Sequence, residues 1–488
     1  MRQPLSSQNT EKTLPGYCIL TWGCQMNEED SEQLALQMES LGYTTVENPE
    51  HADVVILNTC SVRSKPEEKV YSKLGELREL KRNRPDLIVA VCGCMAQIES
   101  EAIRRRAPFV DVISGTGNVG AVGSLIQAAR SRRHDPTSQA PIIALDLPAR
   151  KGAIVTDVPA RNIYRRPKLK AFVPISYGCD KFCTFCVVPL TRGRERSRPE
   201  ADIVQEITKL AEMGTKEVTL LGQTVNSYGK NLATGRTTFA HLLRLIDRVS
   251  GIERVRFTSP YPRDFSDDLI EAIASLPTVC EHVHLPLQVA DDELLLDMHR
   301  GYTVSEYRRV LDRLRDQVPG ISITTDLMLG YPGETEPQFR NTMDFVSEAR
   351  FDSAFMFAYS PRPGTRAASR SDQVPQEIKL RRLAELIALQ NEITTATNRA
   401  HVGEMLEVLV EGRSPKDPAK LSGLTRNFKT VNFEAPPQLI GKMVRVQITE
   451  GHLWGFSGRL ARPSAQEQIQ TLLQIGRREA GTLATSVE

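Results

Sequence analysis

The chain has 488 residues, too many for one hydrophobic core, so two to four domains are expected. Its 40% hydrophobic and 25% charged residues are those of a soluble globular protein, and no apolar run reaches the ~18–20 residues that span a bilayer. A formal net charge of +2 excludes a global field that would hold nucleic acid, although residues 104–106, 165–170 and 192–198 form local basic clusters. Each cluster reads either as solvated helix ends and linker or as part of a surface for an anionic partner.

Residues 1–13 are polar and lack the apolar core of a signal peptide, so a cytoplasmic location and no membrane partner are expected. In a reducing compartment nine cysteines argue for metal or redox chemistry rather than a disulfide framework. Cys18 and Cys280 lie in apolar contexts and read as small buried residues.

The first part of the chain alternates strands and helices. Strands are predicted over 17–22, 53–57, 87–91 and 110–113, with helices over 28–41, 67–82, 96–106 and 119–130. Such alternation indicates a parallel α/β sheet. Residues 131–166 break the pattern and read as an interdomain linker. A second alternation follows, with strands over 171–177, 217–221, 254–258, 282–287, 321–329 and 351–359. Helices are predicted between them over 201–213, 239–249, 267–275, 305–318 and 337–349, and a last one over 376–397. Six strand–helix units suit an open, partial version of the eight-fold barrel. After His401 short alternating runs over 405–410, 430–433, 443–448 and 453–460 indicate a small all-β barrel, and the tail is expected to be mobile. The expected division is 16–132 for the α/β domain, 133–164 for the linker, 165–397 for the partial barrel, 400–463 for the β-barrel and 464–488 for the tail.

The most specific feature is Cys179-Asp-Lys-Phe-Cys183-Thr-Phe-Cys186. Three thiolates in this spacing can hold a 4Fe-4S cube and leave its fourth iron without a protein ligand. Structural zinc usually takes four protein ligands, and no fourth Cys or His lies close in sequence. The loop follows the first strand of the second alternation, so the thiolates stand at the mouth where such barrels carry their active sites. Cys24, Cys60 and Cys94 each lie just past a strand of the first sheet, at the edge where open α/β sheets bind ligands. Convergence there would hold a second cluster; three unrelated strand-end cysteines are the alternative. Cys92 competes with Cys94 for the third place, and Cys94 is preferred as nearer the strand end.

The C-x₃-C-x-aromatic-C spacing, with Phe185 in the aromatic place, resembles the radical S-adenosylmethionine enzymes. Gly23-Cys24-Gln25-Met26-Asn27 with Asp30-Ser31-Glu32, Asn58-Thr59-Cys60-Ser61-Val62-Arg63 and Gly93-Cys94-Met95-Ala96-Gln97 resemble the amino-terminal domain of the methylthiotransferases. Residues 221–228, 258–262, 331–335 and 359–365 match that family in order, and the carboxy-terminal module resembles the RNA-binding TRAM domain. Gln-Met-Asn after Cys24 is similar to the branch acting on prenylated adenosine in tRNA.

The resemblance implies a transferase that adds a methylthio group to C-2 of N(6)-dimethylallyladenosine beside the anticodon. Cys179, Cys183 and Cys186 would hold the cluster that cleaves S-adenosylmethionine to a 5′-deoxyadenosyl radical, and Cys24, Cys60 and Cys94 a second 4Fe-4S cluster that handles sulfur. One S-adenosylmethionine would methylate the sulfur and a second would supply the radical. An electron donor such as flavodoxin or ferredoxin and a sulfur donor are implied partners. Phe185, Gln223, Ser259 and Gln288 would contact the cofactor, or else simply end their strands. The family continues Leu-Gln with Ser-Gly-Ser, whereas this chain reads Gln288-Val289-Ala290-Asp291. Arg426, Phe428 and Lys429 suit tRNA phosphate and base contacts. The same chemistry on threonylcarbamoyl-adenosine or on a ribosomal-protein aspartate, and a non-catalytic iron–sulfur RNA-binding protein, are the alternatives.

Overall fold

The structure, a computed structural model, describes residues 14–61, 64–132, 140–147, 158–159, 161–232 and 235–461. The expected tail 464–488, most of the linker and the motif residues Val62 and Arg63 lie outside them. The chain divides into two compact units, Met1–Leu389 and Gln390–Glu488.

The first unit opens with β1 (Gly16–Thr21), α1 (Gln25–Ser40), β2 (Thr44–Thr45), β3 (Val54–Thr59), α2 (Ser64–Asn83), β4 (Ile88–Gly93), α3 (Cys94–Arg106), β5 (Val112–Ser114), α4 (Val122–Arg132) and β6 (Ile142–Ala144). The six strands form one parallel sheet in the order β2-β1-β3-β4-β5-β6. Strand alternation sends Val55, Leu57, Val89 and Val91 to a core with Leu74, Leu77 and Ile103, and Val54, Ile56, Ile88 and Ala90 to another with Leu34, Met38 and Ile126. Both faces are covered, which explains why β3 and β4 read as continuous apolar runs. Two corrections concern this region. The expected linker contains β6, which completes the sheet against β5. At its end residues 161–165 are held by charge, since the side chains of Arg161 and Arg165 are buried in ion pairs with Glu29, Glu32 and Glu206.

A second strand–helix series completes the unit: β7 (Lys170–Pro174), β8 (Ser176–Tyr177), α5 (Val188–Thr191), β9 (Arg196–Ser197), α6 (Glu200–Glu212), β10 (Glu217–Leu221), α7 (Phe239–Asp247), β11 (Arg254–Phe257), α8 (Asp267–Ser275), β12 (His282–His284), α9 (Asp292–Asp297), α10 (Val304–Gln317), β13 (Ser322–Leu329), α11 (Glu336–Ala349) and β14 (Ser353–Ala358). The six main strands pair in parallel as β11-β10-β7 and β12-β13-β14, and β8 and β9 form a separate antiparallel pair. The expected capping box at Thr303 and Glu306 opens α10. Asp291, where the chain departs from the family pattern, caps α9 by accepting from Leu294 N and also accepts from Asn341, while Val289 and Ala290 are buried.

α12 (Gln376–Ala400) leads to the second unit, a closed barrel of β15 (Met405–Arg413), β16 (Leu421–Thr425), β17 (Thr430–Glu434), β18 (Met443–His452) and β19 (Gly455–Leu460). Val408, Val410, Phe433, Val446, Ile448 and Phe456 fill it. β16 lies where a loop was expected. Within the turn that follows, Phe428 is exposed with a left-handed backbone, Arg426 is half-buried and Lys429 is buried. Trp454, 79% exposed in the β18–β19 turn, is a second open aromatic that the sequence pattern did not single out.

Candidate functional site

The loop after β8 is shaped by Gly178, whose left-handed backbone (φ +72°) admits no side chain: a Cβ would stand 2.1 Å from Arg194 O. Cys179 N donates to Gly193 O, Cys186 N to Cys183 O, and Thr184 to Met298 O and Asp297 O, so the loop is pinned at both ends and in the middle. Cys179 and Cys183 are buried and Cys186 nearly so, and the three interact electrostatically with one another. Burial pushes the Cys179 thiol far up and the Cys186 thiol to about 12.

Arg300, buried, donates from Nη1 to Cys183 Sγ at 3.4 Å, and its other donors reach Tyr302 OH and Pro286 O. Its guanidinium lies over the rings of Tyr261 and Tyr302. Among the described residues no carboxylate pairs with it. A buried cation of this kind calls for an anion, and a thiolate at Cys183 supplies one. The residues present therefore fit a cluster held by thiolates. No three His, Cys, Asp or Glu side chains among the described residues form a site for a single metal ion. A cube takes its three thiolates at separate corners.

Phe185 lies in this loop, and Gln223, Ser259 and Gln288 follow β10, β11 and β12 at the same ends of the barrel strands. Ser259 (φ +54°) and Gln288 (φ +79°) adopt left-handed backbones that cost a non-glycine residue about 1–3 kcal/mol, a strain that clusters at functional sites.

The second thiol group stands at the edge of the first sheet. Register brings Thr21 beside Asn58 and Thr59 beside Gly93, so Cys24, Cys60 and Cys94 follow three adjacent strands. Cys24 N-caps α1 and Cys94 begins α3. Asn27 cross-links the edge: its Nδ2 donates to Asn58 Oδ1 and Thr59 O, and Asn58 Nδ2 returns a bond to Asn27 O. Gly93 (φ +94°) lets the strands approach, since a Cβ there would meet Thr59 O at 2.4 Å. Cys92 instead packs in the core with Leu34 and Met38. Cys94 interacts electrostatically with Cys24, and burial pushes its thiol up against the opposing pull of Arg192.

Arg192 is a second buried cation that the sequence pattern hid, inside a basic cluster that reads either as solvated helix ends or as part of a surface for an anionic partner. It follows α5, at the far end of the cysteine loop, and its Nη2 donates to Asp30 at 3.0 Å, both side chains being buried. Burial pushes the Asp30 carboxyl up, to about 6, against the attraction of Arg192. The segment that carries Cys179, Cys183 and Cys186 thus ends in the field of Cys24 and Cys94.

Comparison with known proteins agrees with this division. The chain matches an uncharacterized protein family, UPF0004, over residues 16–115, the radical SAM superfamily over 173–346 and the TRAM domain over 399–460. It is 46% identical to tRNA-2-methylthio-N(6)-dimethylallyladenosine synthase of Carboxydothermus hydrogenoformans over 91% of this chain and 99% of that one. The chain belongs to the tRNA-2-methylthio-N(6)-dimethylallyladenosine synthase family. The family member of Moorella thermoacetica is likewise 46% identical, over 91% of this chain and 97% of its own. Among solved structures, a radical S-adenosylmethionine methyltransferase from Kitasatospora setae, with cobalamin and a 4Fe-4S cluster bound, superposes with a TM-score of 0.52. It covers 73% of this chain and 74% of that one at 17% identity, a likeness of fold alone. No helix among the described residues is long and apolar enough to cross a membrane.

Proposed function

We propose that this chain is a radical S-adenosylmethionine methylthiotransferase that adds a methylthio group to C-2 of N(6)-dimethylallyladenosine beside the anticodon of tRNA. Cys179, Cys183 and Cys186 would hold one 4Fe-4S cluster and Cys24, Cys60 and Cys94 another, on three modules with the expected boundaries 16–132, 165–397 and 400–463. When bound, the clusters supply an electron for reductive cleavage of S-adenosylmethionine and an iron open to sulfur.

The remaining work falls to the chain itself. Tyr261, Tyr302 and the apolar strand ends exclude water from Arg300 and Cys183, where charge is to be moved. Phe185, Gln223, Ser259 and Gln288 would orient the cofactor at the barrel mouth. Phe428, Arg426 and Trp454 of the terminal barrel would stack on bases and meet phosphates. A one-electron donor such as flavodoxin or ferredoxin and a sulfur donor complete the reaction, and a tRNA substrate fits a cytoplasmic site of action.

The observation that carries this reading is the loop itself. It runs from one thiol group through Thr191 and Arg192 to the other, inside one compact unit. The test is nucleoside mass spectrometry of tRNA from a strain lacking the gene. Loss of the methylthio group with the prenyl group retained supports the assignment; an unchanged methylthio level overturns it.

A further inference from the structure

The cations along the cysteine loop and its exit are Lys181, Arg192 and Arg194, and each is answered by a carboxylate. Lys181 donates to Asp264 at 2.5 Å, Arg192 to Asp30 at 3.0 Å, and Arg194 forks onto Asp180. Arg300, which packs against the same loop and is 7% exposed, has a different set of partners. Its bonds go to two neutral oxygens, Tyr302 OH and Pro286 O, and to Cys183 Sγ at 3.4 Å. Neutral acceptors satisfy N–H groups but leave the positive charge unmet, and a guanidinium does not shed its proton to escape burial.

The backbone is bent to place this side chain. Arg300 lies in the turn between α9 and α10, flanked by His299 (φ +58°) and Gly301 (φ +67°), both left-handed. Arg300 N donates to Leu295 O, and His299 Nδ1 lies 3.4 Å from Phe182 O in the cysteine loop. A left-handed histidine is strained, and such strain persists where the surroundings fix it. The rings of Tyr261 and Tyr302 lie against the guanidinium, with centroids at 5.1 and 5.3 Å, and keep water from it. In so dry a place a charge acts on its neighbour far more strongly than in solvent.

We propose that Arg300 is a positioning residue that acts through Cys183 to raise the reduction potential of the cluster held by Cys179, Cys183 and Cys186. The inference rests on the reading above, in which those thiolates carry a 4Fe-4S cluster. Taking up one electron makes the cluster one charge more negative, with no bond made or broken and no proton moved. The electron comes from the one-electron donor, and the guanidinium stays a cation throughout. Three thiolates oppose an incoming electron. A fixed positive charge and an N–H···S bond both favour the reduced state, and so offset part of that opposition.

The experiment uses the full chain with Cys24, Cys60 and Cys94 replaced by Ala and reconstituted anaerobically, so that only the first cluster is present. Its midpoint potential is read from the EPR signal of the reduced cluster during titration with europium(II) chelates, without S-adenosylmethionine. Arg300→Gln should lower the equilibrium constant for reduction about tenfold, a fall of about 59 mV for a one-electron couple, while Arg300→Lys stays within about threefold. In the complementary background, with Cys179, Cys183 and Cys186 replaced by Ala, Arg300→Gln should leave the potential of the second cluster unchanged. An unchanged first-cluster potential in Arg300→Gln, an equal fall in Arg300→Lys, or an equal fall at the second cluster overturns the proposal. Should Arg300→Gln fail to hold iron, the parent isotopically labelled at its guanidinium nitrogens decides. A nitrogen coupling in the ENDOR spectrum of the reduced first cluster supports the role, and its absence overturns it. A chain lacking Cys24, Cys60 and Cys94 that takes up no iron refutes the first cluster itself, and with it the radical-generating half of the proposed function.

Discussion

Asn27 ties α1 to the end of β3 at the sheet edge, bonding Asn58 and the carbonyl of Thr59 from the first turn of α1. Asn27→Ala strands those buried acceptors and should cost about 1–3 kcal/mol in a urea titration. Because the bonds fix the approach of Cys24 to Cys60, the variant should also lose iron from the second site and not from the first. Gly93→Ala acts on the same edge through the backbone, since the glycine's φ of +94° and the nearby Thr59 O leave no room for a methyl group. It should destabilise by more than ~1 kcal/mol, read as a fall in the denaturation midpoint. Cys179, Cys183 and Cys186 were legible because a fixed local spacing needs no tertiary information. Arg300 lies 117 positions from Cys183 and Asp30 162 from Arg192, and no local pattern announces a contact over such separations. Only the abnormal burial of the two guanidiniums reveals them.

Among the elements, the segment 161–168 acts as a strap. Arg161 pairs with Glu29 of α1 at 2.6 Å and Arg165 forks onto Glu32, while both reach Glu206 of α6, which Arg198 also meets. Burial alone would raise the Glu206 carboxyl, and three guanidiniums more than reverse it, so its pKa is lowered. A lowered carboxyl contributes stability that is complete above the ordinary value of about 4.3 and lost as pH falls through the lowered one. The chain should therefore hold its stability down to about that pH and lose it below. Glu206→Gln should cost about 3–5 kcal/mol at neutral pH and flatten the acid limb, measured by denaturation at a series of pH values. Helices and long strands were legible from their periods, with ends within a few residues of the structure. β6 and β16 were not: Ile142–Ala144 is three residues in a Pro- and Ser-rich stretch, and Leu421–Thr425 carries Ser and Gly where an apolar alternation would show. Gly423 is needed there because a Cβ would meet Leu409 O at 2.4 Å, so packing demanded the residue that hid the strand.

At the scale of the whole molecule, the account assigns two clusters to the first unit and nucleic-acid contact to the second. Anaerobically reconstituted protein should carry about eight irons per chain, and Cys24, Cys60 and Cys94 replaced together by Ala should leave about four. Salt should weaken tRNA binding, and deletion after His401 should weaken it further and reduce the salt dependence, read by filter binding over a range of ionic strength. The central claim is that one thiol group starts the radical and the other delivers the sulfur. It is tested most directly by counting 5′-deoxyadenosine and 2-methylthio-N(6)-dimethylallyladenosine in the same anaerobic reaction with tRNA, for the parent and for each triple alanine variant. Loss of Cys179, Cys183 and Cys186 should abolish both products, whereas loss of Cys24, Cys60 and Cys94 should leave 5′-deoxyadenosine and abolish the methylthio nucleoside. Methylthio nucleoside formed at the parent level without Cys24, Cys60 and Cys94 would contradict the account.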